Sequence, residues 1–553
     1  MSQLIDHGVS ADLKNVSGNS SWNRLNKFAV PAIVIFFAAL VPIWFSFEHR
    51  IPTIDESGHI LNAFTYADLF KHPRLFRVEW WHQFLSVNCF YPPFAHMTNG
   101  LFKAVFGSSR AVDIAVLTLF NAALSLSVYG ITIRLTRSTL SAVLSMVVIN
   151  LYPELALLNR AFWLDFPLTA MVGVGLFSLF NFRADPTWRR AVFAGIGLGA
   201  ACMTKQIAIA YLALPVAAVF VEQIAGKSKS IADASKLFVA GLICAVINAP
   251  WFVLNAQKAK LMADECAVHI SHPQSFSDNL WHYASVLPAT MSPFLMIAFV
   301  AALFFARKIV TRQLYLLLLS AGGGVLAVST LVWILPKPQY IAPALIMTAV
   351  VTACFLAQSI EHKNFYVRRA AIIALVAAVL QMLSLQFSPY PVSSPKWVSN
   401  FARSMGNTIS EPRLGITLVN PRPEVDWGQV WAIREIDKVD KNNKVYVNIL
   451  SNSPDLNVHT FELIAHDLNS AVVPTTSRSY TIGGDKMTFS PSQALYYQWY
   501  LIQDENHYQG FVDAASEKAF EQLKQFVKTD AHFKEVSRHQ LPDGTNLTLY
   551  RQK

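Results

Sequence analysis

From Phe28 to about Phe387 the chain alternates long apolar runs with short polar breaks. Uncharged stretches near 20 residues recur, the length a helix needs to cross ~30 Å of hydrocarbon. The pattern predicts eleven spanning segments: 28–47, 113–133, 139–158, 166–182, 191–204, 206–222, 237–254, 288–306, 313–335, 340–360 and 370–388. The fifth and sixth are short, and a re-entrant hairpin is an alternative that leaves the downstream orientation unchanged. The first run continues into Glu48-His49-Arg50 without a small-residue cleavage site, so it reads as a retained helix rather than a signal peptide. Between the first two spans, residues 48–112 form a long aromatic loop containing Trp80-Trp81, whose stretches 57–71 and 94–106 look amphipathic and suited to an interface.

After about residue 390 the composition becomes polar with ordinary alternation. Val445–Leu450 and Trp499–Gln503 read as strands, Leu456–Leu468 and Glu517–Val527 as helices, and a hairpin turns at Asp543-Gly544. The expected fold class is therefore an α-helical polytopic membrane protein with a C-terminal α/β domain. Its parts are a polar N-terminal segment (1–27), a transmembrane domain (28–389) and the tail domain (390–553).

Charge turns this pattern into an orientation. Of 553 residues, 53% are hydrophobic and only 14% charged, with a formal net charge of +10. Basic residues crowd every second break: Lys14, Arg24 and Lys27; Arg134 and Arg137; Arg183, Arg189 and Arg190; Lys227, Lys229 and Lys236; Arg307, Lys308 and Arg312; Lys363, Arg368 and Arg369. The positive-inside rule places these loops, with the N-terminus, in the cytoplasm. The opposite short loops carry one apiece, Arg160, Lys205 and Lys337. Eleven crossings put the C-terminal domain outside. The positive charge thus reflects topology and gives no reason to expect a nucleic-acid partner. Cys202, Cys244 and Cys354 lie in apolar runs, which leaves Cys89 and Cys266 as the two that could pair if they are extracytoplasmic neighbours.

The candidate chemistry gathers at the outer face. Asp55-Glu56 follows the first span by a few residues. Acids at a helix start favour the helix dipole, but a pair at a membrane surface also suits a general base or a metal ligand. Arg160, Lys205 and Lys337 each stand at the outer end of an apolar run, where snorkelling to lipid phosphate is the plain explanation. Together, beside an acidic pair, they suggest an anionic ligand whose developing charge they stabilise. Asp165, about a turn from Arg160, is placed to orient it or to contact an acceptor. Histidines 59, 82, 96, 269, 272 and 282 map to the same face; His269-x-x-His272 has metal-like spacing, but Pro273 argues for a loop, and no metal site is assigned. Gly322-Gly323-Gly324 lies inside an apolar run and reads as a close-packing device rather than a nucleotide loop.

An ordered set of motifs resembles the GT-C membrane glycosyltransferases, which include protein O-mannosyltransferases and the lipid A aminoarabinose transferase. The set comprises Asp55-Glu56, Tyr91-Pro92-Pro93-Phe94, Arg160 with Asp165-Phe166-Pro167-Leu168, Gly195-x-Gly-x-Gly199 leading to Thr204-Lys205, and Lys337-Pro338-Gln339-Tyr340-Ile341-Ala342-Pro343. The resemblance covers roughly residues 28–390. It implies sugar transfer from a polyprenyl-phosphate donor to a lipid, glycan or protein hydroxyl on the non-cytoplasmic face of a bacterial inner or plasma membrane. Asp55 and Glu56 would then form the catalytic centre, Arg160, Lys205, Lys337 and Tyr340 the donor-phosphate site, and His59, Tyr91 and Asp165 further substrate contacts. Direct attack by the acceptor implies inversion. No cofactor is required, although a divalent cation at the acidic pair stays open. Two positions depart from the family pattern. Gln339 stands where Arg often precedes the tyrosine, and His59 where an aromatic often follows the acidic pair.

Two other functions fit a polytopic chain. A transporter or lipid flippase would place ionisable groups near helix centres and show paired halves, whereas the unusual charges here lie at one face. A non-catalytic polysaccharide-assembly subunit would bind a partner through the tail and leave the acidic pair incidental.

Overall fold

The computed structural model describes residues 20–225, 231–270, 275–304, 314–331, 337–387, 425–440, 444–451, 456–476, 489–504 and 514–553. The expected boundary at 389/390 lies outside them. The first part is helical. Helix α1 (Ser20–Phe45) leads to three helices of the long loop, α2 (Ile54–Lys71), α3 (Val78–Ser86) and α4 (Phe94–Phe106). Then follow α5 (Arg110–Thr136), α6 (Thr139–Asn150), α7 (Pro153–Leu158), α8 (Asp165–Ala184), α9 (Trp188–Cys202), α10 (Ala208–Ala225) and α11 (Ile231–Ile270). Helices α12 (Phe276–Met291), α13 (Pro293–Phe304) and α14 (Tyr315–Leu331), a 3-10 turn at Pro338–Ala344, α15 (Leu345–Ile360) and α16 (Phe365–Phe387) complete the bundle.

Seven helical stretches are long and apolar enough to cross a bilayer: Phe28–Phe45, Arg110–Thr136, Asp165–Ala184, Ala208–Ala225, Asp233–Leu261, Pro338–Ile360 and Phe365–Phe387. The pair α12 and α13, bent by 117°, makes an eighth if it is one broken span. By length and apolarity alone, seven or eight of the eleven expected spans qualify among the described residues, and Thr139–Asn150 and Tyr315–Thr330 are shorter apolar helices. The segment 139–158 is broken after Asn150, where Pro153 starts a new six-residue helix. The segment 191–204 is a helix of only 15 residues, about 22 Å long at 1.5 Å per residue. The expected run 288–306 starts inside α12 and turns at Ser292, whose φ of 71° lies in the left-handed region, immediately before Pro293.

Glycines set the closest approaches in the bundle. A Cβ at Gly195 would lie 2.6 Å from the Ala240 carbonyl oxygen, so α9 meets α11 backbone to backbone. At Gly324 it would lie 2.1 Å from the Tyr211 ring, which seats α14 against α10; Gly322 faces open space. The triple glycine therefore is a packing device at two of its three positions.

The loop helices pack differently: α4 keeps an exposed apolar side with Leu101, Val105 and Phe106. α2 is covered on both sides, which removes the one-sided apolar face expected for 57–71. One side takes α4, where a Cβ at Gly100 would come within 2.4 Å of Tyr66 Cβ and 2.9 Å of the Ala63 carbonyl oxygen. Lys103 of α4 is buried against Asp113 of α5 at 2.9 Å, and Asn99 donates to the same carboxylate at 2.7 Å. These polar anchors hold the loop to the bundle, since breaking a buried pair strands a charge.

The tail is a five-stranded mixed sheet of order β2-β1-β3-β5-β4, with β1 (Val445–Leu450), β2 (Val472–Thr475), β3 (Trp499–Gln503), β4 (Phe533–Gln540) and β5 (Asn546–Gln552). β1 runs parallel to β2 and β3, while β5 is antiparallel to β3 and β4. Helices cover both faces. α17 (Gln429–Asp440) and α18 (Val458–Asp467) bury Ile433 and Phe461 against Trp499 and Leu549, whereas α20 (Ala514–Thr529), which follows the short α19 (Pro491–Ala494), buries Phe520 and Leu523 against Tyr500 and Ile502. The predicted strands, helices and Asp543-Gly544 turn are all present, with Gly544 at φ 85°.

Candidate active site

α2 begins at Thr53, in extended conformation, so Asp55 and Glu56 occupy its first turn. They point apart. The Asp55 side is exposed, whereas Glu56 is fully buried. Glu56 accepts from Arg110 at 2.6 Å and from the Phe162 backbone N–H at 3.1 Å, and lies 3.6 Å from Arg50. Two guanidiniums and an amide offset the desolvation of its charge. This geometry makes Glu56 the pin between the first loop and the loop 159–164, and leaves Asp55 as the acid facing outward.

One turn after Asp55, on the same helix face, His59 Nδ1 meets His96 Nε2 of α4 at 3.0 Å, and its ring centroid lies 5.7 Å from that of Tyr91. Burial, then the nearby Lys205 charge, hold His59 down to about 3; burial also holds His96 well below its ordinary value. Both rings are therefore neutral at physiological pH, and one N–H bridges the pair.

Tyr91 is placed by the Asn88 side chain, which accepts from the Phe90 and Tyr91 backbone N–H groups at 2.9 and 2.8 Å. The bent segment before α4 is stitched to the loop after α9: Gln206 donates to the Phe90 carbonyl, and the Phe94 N–H to the Met203 carbonyl at 2.8 Å. From α11, Trp251 and Asn255 hold the carbonyls of Asn88 and Leu85 at 3.2 and 2.9 Å. Lys205 emerges from this joint. Its Nζ lies 2.6 Å from Asp165 Oδ1 and 5.4 Å from the centroids of both Tyr91 and Tyr340. Gln339 donates to the other Asp165 oxygen at 3.1 Å, and the Tyr211 hydroxyl donates to the Tyr340 carbonyl at 2.6 Å.

The structure thus clusters His59, Tyr91, Lys205, Asp165 and Tyr340, with Asp55 one turn before His59 on the same helix. It does not bring in Arg160 or Lys337 in the way the sequence suggested. Arg160 is buried in a separate cavity lined by Phe37, Asn121, Phe166 and Gln386, where it donates to Gln386 and lies over Trp44 at 5.4 Å. Its Nε and Nη1 find no hydrogen-bond partner among the described residues. Asp165, expected near Arg160, is instead spent on Lys205. Lys337 is exposed at the start of the 3-10 turn. Among the described residues no three His, Cys, Asp or Glu side chains gather as a metal site. Cys89 is a free thiol, and the side chains of Cys266, His269 and His272 lie outside the described residues.

Sequence reasoning missed His96, Gln386, Arg50, Arg110 and His459 of α18. Apart from Arg50, which is only six residues before Glu56, their long sequence separations from Asp55, Glu56 and Arg160 leave no local signal; only the grouping of histidines expected at one face hinted at His96.

Residues 72–262 match the family model of dolichyl-phosphate-mannose-protein mannosyltransferase. That segment contains Tyr91, Arg160, Asp165 and Lys205, and begins after Asp55. No curated protein matches the sequence significantly. The structure of ArnT from Cupriavidus metallidurans bound to undecaprenyl phosphate aligns with a TM-score of 0.54 at 13% identity, covering 93% of this chain and 97% of that one. The apo form of the same protein aligns with a TM-score of 0.54 at 13% identity over 94% and 98%. The S. cerevisiae protein O-mannosyltransferase Pmt1-Pmt2 complex bound to its sugar donor aligns at 14% identity over 41% of this chain and 33% of that one, with a TM-score of 0.31. At these identities the likeness is one of fold. With its apolar spans, long first-loop helices and C-terminal sheet domain, the chain is a multi-pass membrane protein of the GT-C fold.

Proposed function

We propose that the chain transfers a sugar from a polyprenyl-phosphate donor to an acceptor hydroxyl at the outer face of the membrane. One observation carries this reading: an exposed acid, Asp55, shares a helix face with His59, which leads through Tyr91 to the buried cation Lys205. A base and a phosphate-binding cation near one another are what displacement at an anomeric carbon needs. The ArnT structure with bound undecaprenyl phosphate and the mannosyltransferase family match support the donor class.

In the proposed reaction Asp55 takes the acceptor proton as the hydroxyl oxygen bonds to the anomeric carbon. The bond from that carbon to the phosphate oxygen breaks, and the polyprenyl phosphate leaves with the electron pair. The transition state is oxocarbenium-like, and single displacement inverts the centre. Lys205 has three N–H donors, of which Asp165 takes one. The others are free to meet the phosphate between Tyr91 and Tyr340, where preorganised charge is worth most. Glu56 holds the loops in place. Lys337 and Arg160 are secondary candidates for donor contacts, Arg160 because two of its nitrogens, Nε and Nη1, lack partners among the described residues. The N-terminus is proposed to be cytoplasmic and the tail domain extracytoplasmic.

The test is to supply membranes containing the protein with radiolabelled polyprenyl-phosphate sugars and follow label into lipid, glycan and protein fractions. Transfer that depends on Asp55 is expected. Absence of Asp55-dependent label from every donor would overturn the reading.

A further inference from the structure

The C-terminal domain reaches α2 itself. α18 uses two faces. Phe461 and Ala465 sit in the core of its own domain, while Leu463 is 4% exposed and packs with the core of the membrane domain. His459, Leu463 and His466 follow at the i, i+4, i+7 spacing of a single helix stripe, and this stripe lies on α2. The His466 ring stacks on Phe64 with centroids 3.9 Å apart and planes 11° apart. The His459 ring lies 3.9 Å from where a Cβ of Gly58 would be. Gly58 is three residues after Asp55, so His459 covers the first turn of α2 on the face that carries the acid.

The placement is firm. Asn457 caps α18 by accepting from the His459 and Thr460 backbone N–H groups at 3.0 and 3.2 Å, and Thr460 returns the bond to the Asn457 N–H. Yet His459 Nδ1 is buried without a partner among the described residues. A residue needed only to fill space over a glycine would not carry a buried polar atom, and such an atom calls for a functional account. Burial lowers the imidazole, although the nearby Asp55 charge draws it upward.

We propose that His459 is a positioning residue for Asp55, and that the docked C-terminal domain completes the transfer site. A ring N–H beside the carboxylate would restrict its rotamers and aim its free lone pair at the acceptor hydroxyl. This inference rests on the glycosyltransferase reading.

The experiment compares wild type, Asp55→Asn, His459→Phe, His459→Gln and His459→Ala, using a radiolabelled polyprenyl-phosphate sugar that the wild type accepts. His459→Phe keeps the ring shape without a nitrogen; His459→Gln keeps an N–H without the ring. His459→Phe and His459→Ala should lower kcat by roughly 10- to 100-fold, the scale of a small misplacement of a reacting group, with donor KM unchanged. His459→Gln should recover a large part. Full activity in His459→Phe, or loss in His459→Gln alone, would reduce His459 to packing and overturn the proposal. Wild-type activity in all three variants would do the same. If the wild type itself transfers nothing, the parent reading fails instead. Should His459→Ala misfold, the Phe and Gln pair still decides.

Discussion

Asp55 and Glu56 show how adjacent identical charges acquire different roles from their surroundings. Glu56 is enclosed by Arg50, Arg110 and the Phe162 amide, so Glu56→Gln should first cost stability: removing one member of a buried charged set costs about 3–5 kcal/mol, read as a lower unfolding temperature in detergent. Asp55→Asn keeps the shape and lies exposed. Transfer should fall by roughly 10²- to 10⁴-fold while the unfolding temperature stays near that of wild type. Near-normal turnover in that variant would remove the general-base role. Lys205 combines the two behaviours. It is ion-paired at 2.6 Å and also proposed to hold phosphate, so Lys205→Met should lose both stability and donor use. In an Asp165→Asn background the stability loss should shrink, while the loss of donor use persists; equal loss of both in each background would make Lys205 a structural pair only. His59 adds a pH dependence. Its folded value, near 3, lies below the unfolded 6.5. The unfolded chain therefore binds the proton first, and stability should fall as pH drops through about 6.5 toward 3. His59→Gln should blunt that fall, measured by unfolding temperature between pH 7.5 and 4.5.

At the scale of elements, the first-loop helix α2 is the part on which the site depends. It is held by α4 through Gly100, by the Glu56 cluster at its first turn, and by α18 through Phe64 and Gly58. Adding a methyl at Gly100 would drive it into Tyr66 and the Ala63 carbonyl, which are backbone-near atoms with little freedom to yield. Gly100→Ala should therefore destabilise by about 1–3 kcal/mol, the range for overpacked cores, and lower transfer through displacement of Asp55. Gly241→Ala, in α11, adds its methyl to open space and serves as the control. A Gly100→Ala enzyme with wild-type unfolding temperature and turnover would show that the α2–α4 contact is loose. The helices and strands of the tail were legible because alternation and the Asp-Gly turn act locally. The breaks at Ser292-Pro293 and after Asn150 were not, since hydropathy alone reads through them.

For the whole molecule, the spans and the charged loops make a topology that can be measured. A reporter active only outside the cytoplasm should work when fused after residue 395 and fail when fused near Arg368. The reverse pattern would place Asp55 on the cytoplasmic face and remove the proposed chemistry from its donor.

The sequence by itself determined the class of molecule. Apolar length and loop charge answer to the bilayer, which acts on each segment separately, so the polytopic character, the long first loop and the α/β tail were all readable. The residues at the outer ends of the runs were likewise readable one by one. Which of them meet was a matter of tertiary structure. Asp165 went to Lys205 rather than Arg160, Glu56 to two arginines, and His459 came from a separate domain to the first turn of α2. Such pairings join positions far apart in the chain, and their energies depend on distance and burial, quantities that exist only once the helices have packed.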